Sequence, residues 1–243
     1  TVVGHSKGAN KAQYVTILSD KVKRCVAMDG QGFSQEFFDK YYAEIEEKGA
    51  LITNHSLAND YVHILLFPVP GATQVFYQGV EDKYGIANHF ASSFFSFQYD
   101  ESGHLGFEMC PIVENEDEVM TYLREFTYFI INEMPCEKKV PVIEFVGNIL
   151  ATLMASEKNP YTFMYEGITY SKENIANYIF TDINSLATVG AYFIKYIDVY
   201  ELEGDQVRGL LQAFGLGELL EIEIPIMITS MTSINIGTDD LVD

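Results

Sequence analysis

The segment TVVGHSKGANKAQYV, residues 1–15, limits the possible folds more than any other part of the chain. Thr1, Val2 and Val3 are β-branched and read as the end of a buried parallel strand. From Lys7 to Leu18, apolar residues at Ala9, Ala12, Val15 and Ile17 or Leu18 recur at helical intervals. Only Gly4-His5-Ser6-Lys7-Gly8 is left to turn the chain between them. A turn this tight strains the central Ser6 and is expected to exclude a side chain at either flank, at Gly4 and at Gly8. The alternative is that Ser6 is simply the N-cap of the helix.

The alternation continues to about residue 110, the pattern of a parallel sheet covered by helices. Val22–Met28 reads as a strand ending at Asp29-Gly30-Gln31-Gly32, and an amphipathic helix is expected from about Ser34 to Lys48. Leu51–Thr53 reads as a short strand with a loop from Asn54 to Asp60, and TQVFYQG as another strand. Asp100-Glu101-Ser102-Gly103 signals a hairpin between two β-rich runs. From about Asn115 the pattern turns helical. A capping box at Asn115–Glu118 opens a helix with Val119, Leu123, Phe126 and Ile130 on one face. A second helix follows Pro135 with a stripe of Val142, Val146, Ile149 and Leu153. Ser171 is expected to cap a long third helix reaching towards Tyr200, and Asp205 to start a shorter fourth. Ile222, Ile224, Ile226 and Ile228 alternate at period two, a strand or extended arm that Pro225 assigns to an edge. The expected organisation is an α/β core over residues 1–112 and a helical region over 113–243.

With 243 residues, 48% of them apolar, the chain can bury a sizeable core. A net charge of −20 disfavours nucleic acid and electrostatic docking to anionic membranes. Cys25, Cys110 and Cys136 are odd in number and lack C-x-x-C spacing, so neither a disulfide framework nor a metal site is expected. The apolar tail is interrupted by Glu223 and Pro225, so no transmembrane span is expected. Composition leaves the compartment open, with the cytoplasm favoured.

A serine on such a turn can act as a nucleophile if a histidine takes its proton and a carboxylate fixes the histidine tautomer. In the nucleophile elbow of α/β-hydrolases the partners follow in the order serine, acid, histidine. His5 lies within the turn and is expected to point elsewhere, and His55 and His63 flank the Asp60 loop. Only His89 and His104 come late enough. His89, in a Gly- and Asn-containing loop after a strand, is preferred as the base, and His104, in the hairpin, is the alternative. Asp60 follows the second strand after the turn and is the preferred acid. Asp29, which follows the first, is the alternative, equally explained as a turn former.

GHSKGANKA, NDYVHILLFP and GIANHFASSFF together resemble the lipase-like α/β-hydrolase family of uncharacterised bacterial and phage-associated proteins related to the class 3 lipases. The likeness covers roughly residues 1–135, and the helical remainder is similar in character to the family's C-terminal tails. It implies a partial α/β-hydrolase sheet with Ser6 as nucleophile, Asp60 as acid and His89 as base. The Lys7 backbone N–H would form half of the oxyanion hole. The elbow would comprise Gly4, His5, Ser6, Lys7 and Gly8. The implied reaction is cleavage of an acyl ester, thioester or lipid-like small molecule, with no cofactor and no metal. Two departures stand out: Lys7 replaces the usual Leu after the serine, and Ala9 replaces the second glycine. The strands that precede the elbow in that family have no counterpart in the sequence, so a fragment is expected, poorly soluble and nearly inactive. The competing expectation is a non-catalytic interaction protein that retains the fold.

Overall fold

A computed structural model describes residues 1–79, 86–153, 155 and 160–213. Residues 1–201 form one compact unit, and the described residues from Leu202 onward belong to a second. The first unit begins with the expected strand, turn and helix, β1 (Val2–His5) and α1 (Lys7–Leu18). α1 buries Ala9, Ala12, Gln13, Thr16 and Ile17, whereas Val15 and Leu18 face solvent. The buried stripe is therefore rotated from the one expected. The Thr16 hydroxyl donates to the Ala12 carbonyl, so a polar residue can sit in the core.

β2 (Cys25–Met28), β3 (Ile52–Leu57) and β4 (Thr73–Tyr77) follow β1 as parallel neighbours, and the two-residue β7 (Ile112–Val113) closes the sheet antiparallel to β4. β3 runs on through Asn54, His55 and Ser56, which the sequence assigns to a loop. Of the three, His55 finds a partner inside the sheet, its Nδ1 lying 2.9 Å from the Tyr77 hydroxyl. The single helix expected over Ser34–Lys48 is two, α2 (Gln35–Lys40) and α3 (Tyr42–Lys48), broken where Tyr41 leaves helical geometry. α1, α2 and α3 pack Ala9, Ala12, Ile17, Phe38 and Ile45 against Cys25, Ala27 and Ile52 of the sheet. That core holds the ends of β1, β2 and β3 in place.

β5 (Phe95–Tyr99) and β6 (Leu105–Met109) pair as the expected hairpin, its turn held by Asp100, whose carboxylate accepts from the backbone N–H groups of Ser102 and His104. α4 (Glu118–Glu133) is capped by Asp117, which accepts from the Val119 N–H, and not by Asn115. Its buried stripe is Met120, Leu123, Phe126 and Phe129. α5 (Cys136–Leu153) buries Val142 and Phe145, and Val146 is exposed. The hairpin of β8 (Phe163–Tyr165) and β9 (Ile168–Tyr170) has no counterpart in the sequence reading. The long helix expected to Tyr200 is also two, α6 (Ile175–Thr181) and α7 (Ile183–Val199), separated by Asp182, whose carboxylate caps α7 through the Ser185 N–H. Tyr170 and Tyr178 pack with Phe145 into a small aromatic core. The change of character at residue 112/113 is thus a change of element type within the first unit. In the second unit α8 (Gly204–Ala213) is the fourth helix expected, and the Ile222–Ile228 alternation lies outside the described residues. Among the described residues no helix is long and apolar enough to cross a membrane.

Candidate functional site

Ser6 stands between β1 and α1 with φ 56° and ψ −127°. A left-handed φ is costly for a side chain, of the order of 1–3 kcal/mol, and persists only where the surroundings impose it. Here the Ser6 N–H donates to the Met28 carbonyl at 2.9 Å, and the Ser6 carbonyl accepts from the Ala9 N–H at 2.9 Å. The two glycines differ in role. A Cβ on Gly4 would lie 2.2 Å from the Gly8 carbonyl oxygen, so nothing larger than glycine fits there. A Cβ on Gly8 would meet nothing within 4 Å, contrary to the steric need expected at both flanks. It is the Gly8 backbone that crowds Gly4. Lys7 is the first residue of α1, where backbone N–H groups have no intrahelical acceptor and are turned towards the helix N-terminus.

The Ser6 hydroxyl lies 2.7 Å from His89 Nε2, and His89 Nδ1 lies 2.9 Å from Asp60 Oδ1. His89 ends a short 3₁₀ turn, Ile86–His89, beyond β4, and Asp60 sits in the turn that follows β3. These three residues are thus brought from the carboxyl ends of three parallel strands into one hydrogen-bonded chain. Asp60 is fully buried, and its second oxygen accepts from the backbone N–H groups of Val62 and His63 at 3.0 Å each. Burial works to raise the Asp60 carboxyl, but the imidazoles of His63 and His89 outweigh it and hold the group well below the usual carboxylate range.

Neither alternative is part of this hydrogen-bonded chain. His104 is exposed in the β5–β6 turn, 3.4 Å from Asp100. Asp29 is fully buried at the end of β2, with φ 44° and one oxygen accepting from the Leu57 N–H at 2.9 Å. Burial first, and the neighbouring Asp60 charge second, push its carboxyl up to about 8. His5 does not point away. Its ring lies against His89 with centroids 5.0 Å apart, and burial followed by His89 lowers its pKa.

Sequence reasoning gave no role to His63 or to Glu116. His63 lies between Asp60, at 3.5 Å, and Glu116, at 3.8 Å. The only signal for His63 was its place three residues after Asp60, and Glu116 carries none. Among the described residues, two groups of side chains of the types that can hold a metal have donor atoms within 4.8 Å of one another, His5 with Asp29 and His89, and Asp29 with Asp60 and His63. Both ring nitrogens of His89 and both oxygens of Asp60 are already engaged in the hydrogen bonds above. A cation in either group would compete with the Ser6–His89–Asp60 chain. In comparisons with family models, curated proteins and solved structures, nothing matches the chain.

Proposed function

We propose that this chain carries a serine hydrolase site that cleaves a carboxylic ester or thioester through an acyl-enzyme. The reading rests on one observation, the continuous chain from Ser6 Oγ through His89 to Asp60 on a serine held at positive φ. An N-cap serine accounts for neither. The capping side chain of Ser6 makes no bond to its own helix, and a cap needs no histidine. The parallel order β1-β2-β3-β4, with serine, acid and base following β1, β3 and β4, supports a partial α/β-hydrolase sheet.

In this mechanism Ser6 Oγ attacks the acyl carbon as its proton passes to His89 Nε2. Asp60 holds the His89 tautomer that leaves Nε2 free to accept, and its charge offsets the imidazolium that forms. Backbone N–H groups at the start of α1, that of Lys7 included, stabilise the oxyanion. Collapse expels the alcohol or thiol, which takes the proton from His89. Water then attacks the acyl-enzyme by the same relay and returns Ser6. The test is a fluorophosphonate probe, which requires an activated serine. The folded chain should be marked at Ser6, with no mark in Ser6→Ala and a rate lower by about 10³ or more in His89→Ala. An unmarked Ser6 in folded protein would overturn the proposal and favour a non-catalytic interaction protein.

A further inference from the structure

The chain of polar side chains does not stop at Asp60. Behind it stands His63, its side chain 8% exposed, with Nδ1 3.5 Å from Asp60 Oδ2 and Nε2 3.8 Å from Glu116 Oε2. Glu116, 4% exposed, is in turn bound by Arg124 of α4, with both carboxylate oxygens 2.5 Å from one guanidinium nitrogen. The element carrying Glu116 is fastened to the loop carrying Asp60 at two further points. The Asp117 N–H donates to the Ala58 carbonyl at 2.9 Å, and the Tyr128 hydroxyl donates to the Leu66 carbonyl at 3.0 Å. The Phe67 and Tyr128 rings pack beside the second of these, with centroids 4.3 Å apart.

We propose that His63 is a positioning residue, which with Glu116 forms a second acid–base pair behind Asp60 and so ties the geometry of the Ser6 site to the helix α4. This deepens the hydrolase reading and rests on it.

The charges that face His63 explain the arrangement. Asp60 approaches from the turn after β3 and Glu116 from the approach to α4, with Arg124 behind Glu116; the Asp29 carboxyl at the end of β2, raised to about 8, adds no charge at neutral pH, and the Phe76 ring of β4 covers one side with centroids 5.8 Å apart. Two buried carboxylates with a single guanidinium leave an excess negative charge that a neutral imidazole would not offset. Burial opposes a charge on His63, but Asp60 and Glu116 prevail and push it up to about 9. A cationic His63 then serves Asp60 twice, since its backbone N–H bonds Oδ2 and its ring lies beside the same oxygen. Oδ1 is left to His89. His63 touches neither Ser6 nor the place of the acyl group, so its action runs through Asp60.

The experiment uses the full chain with ¹⁵N-labelled histidine, the His63 ring being assigned by its absence from His63→Gln. The ring should carry protons on both nitrogens at pH 7–8. In Glu116→Gln its titration midpoint should fall by about one unit or more, and Glu116→Asp should restore most of it. Fluorophosphonate labelling of Ser6, per folded molecule, should slow by about tenfold in His63→Gln and Glu116→Gln and recover in Glu116→Asp. A purely structural role would lower the folded fraction without moving the midpoint. A neutral His63 ring in the unaltered chain at pH 7 would overturn the pair, and that measurement needs no variant to fold. So would a midpoint indifferent to Glu116→Gln, or unchanged labelling in both folded variants. An unaltered chain that shows the cationic ring but no labelling at all would instead remove the hydrolase reading, and with it the reaction that His63 is said to serve.

Discussion

Two buried aspartates, Asp29 and Asp60, lie close enough to interact and are driven in opposite directions. Asp60 has His63 and His89 for partners and stays ionised, whereas Asp29 has a single backbone donor and a like charge beside it. At neutral pH Asp29 is therefore protonated, and an asparagine should mimic it. Asparagine also tolerates the positive φ found at this position. We expect Asp29→Asn to keep labelling of Ser6 within about threefold of the unaltered chain, and Asp60→Asn to lower it by about 10³ or more, because the wrong histidine tautomer would be held. The two variants compared in one labelling time course separate a neutral neighbour from the acid. The sign of the pH effect follows from the same shift. A carboxyl raised in the folded state makes stability fall as pH rises from the unfolded value towards about 8. Asp29→Asn abolishes that fall, so its melting temperature relative to the unaltered chain should increase between pH 5 and pH 9.

α4 does more than cover the core. Its buried stripe meets α7, where the rings of Phe126 and Phe129 pack on Tyr196, and its N-terminus reaches the Asp60 loop through Glu116 and Asp117. Asp117→Ala removes the side-chain bond to the Val119 N–H and should cost about 1 kcal/mol of stability. The backbone bond from Asp117 to Ala58 survives the substitution, so urea unfolding should move while labelling of Ser6 per folded molecule stays the same. The hairpin β5–β6 shows a different kind of element. The register Phe95 with Met109, Phe97 with Phe107 and Tyr99 with Leu105 puts six apolar side chains on one face, and five of them are exposed. Cross-strand aromatic contact such as Phe97 with Phe107 contributes a few tenths to about 1 kcal/mol to a hairpin of this kind.

Across the chain the net charge of −20 works against compaction, and two buried groups add a local term of the same sign. His63 and Asp29 both hold protons in the folded state above their ordinary values, so the stability each contributes is present below its unfolded value and is lost as pH rises through about 9 and about 8. Asp60 acts at the other end, its contribution being lost as pH falls below the ordinary carboxylate range. Thermal melts should therefore show stability falling as pH rises from about 5 to about 9. Added salt should recover the part due to general repulsion and leave the buried part, because screening does not reach enclosed charges. Full recovery at 0.5 M salt would count against a buried origin.

The local code of this protein was strong where one residue type alone satisfies a backbone need. The strand, elbow and helix at Ser6, the strands through Met28 and Tyr77, and the β5–β6 turn all follow from β-branched runs, glycine and Asp100 in places that only short-range sterics and hydrogen bonding decide. The order of elements narrowed the base to His89 or His104 and the acid to Asp60 or Asp29, and local context preferred Asp60 and His89, the pair in line with Ser6. Tertiary packing decided the rest. Whether Asn54, His55 and Ser56 are loop or strand depends on Tyr77 across the sheet, and which face of α4 is buried depends on α7. The pairing of His63 with Glu116 joins residues more than fifty positions apart. No local pattern encodes it, since a buried charge acquires its partner only when two distant elements close over the same space.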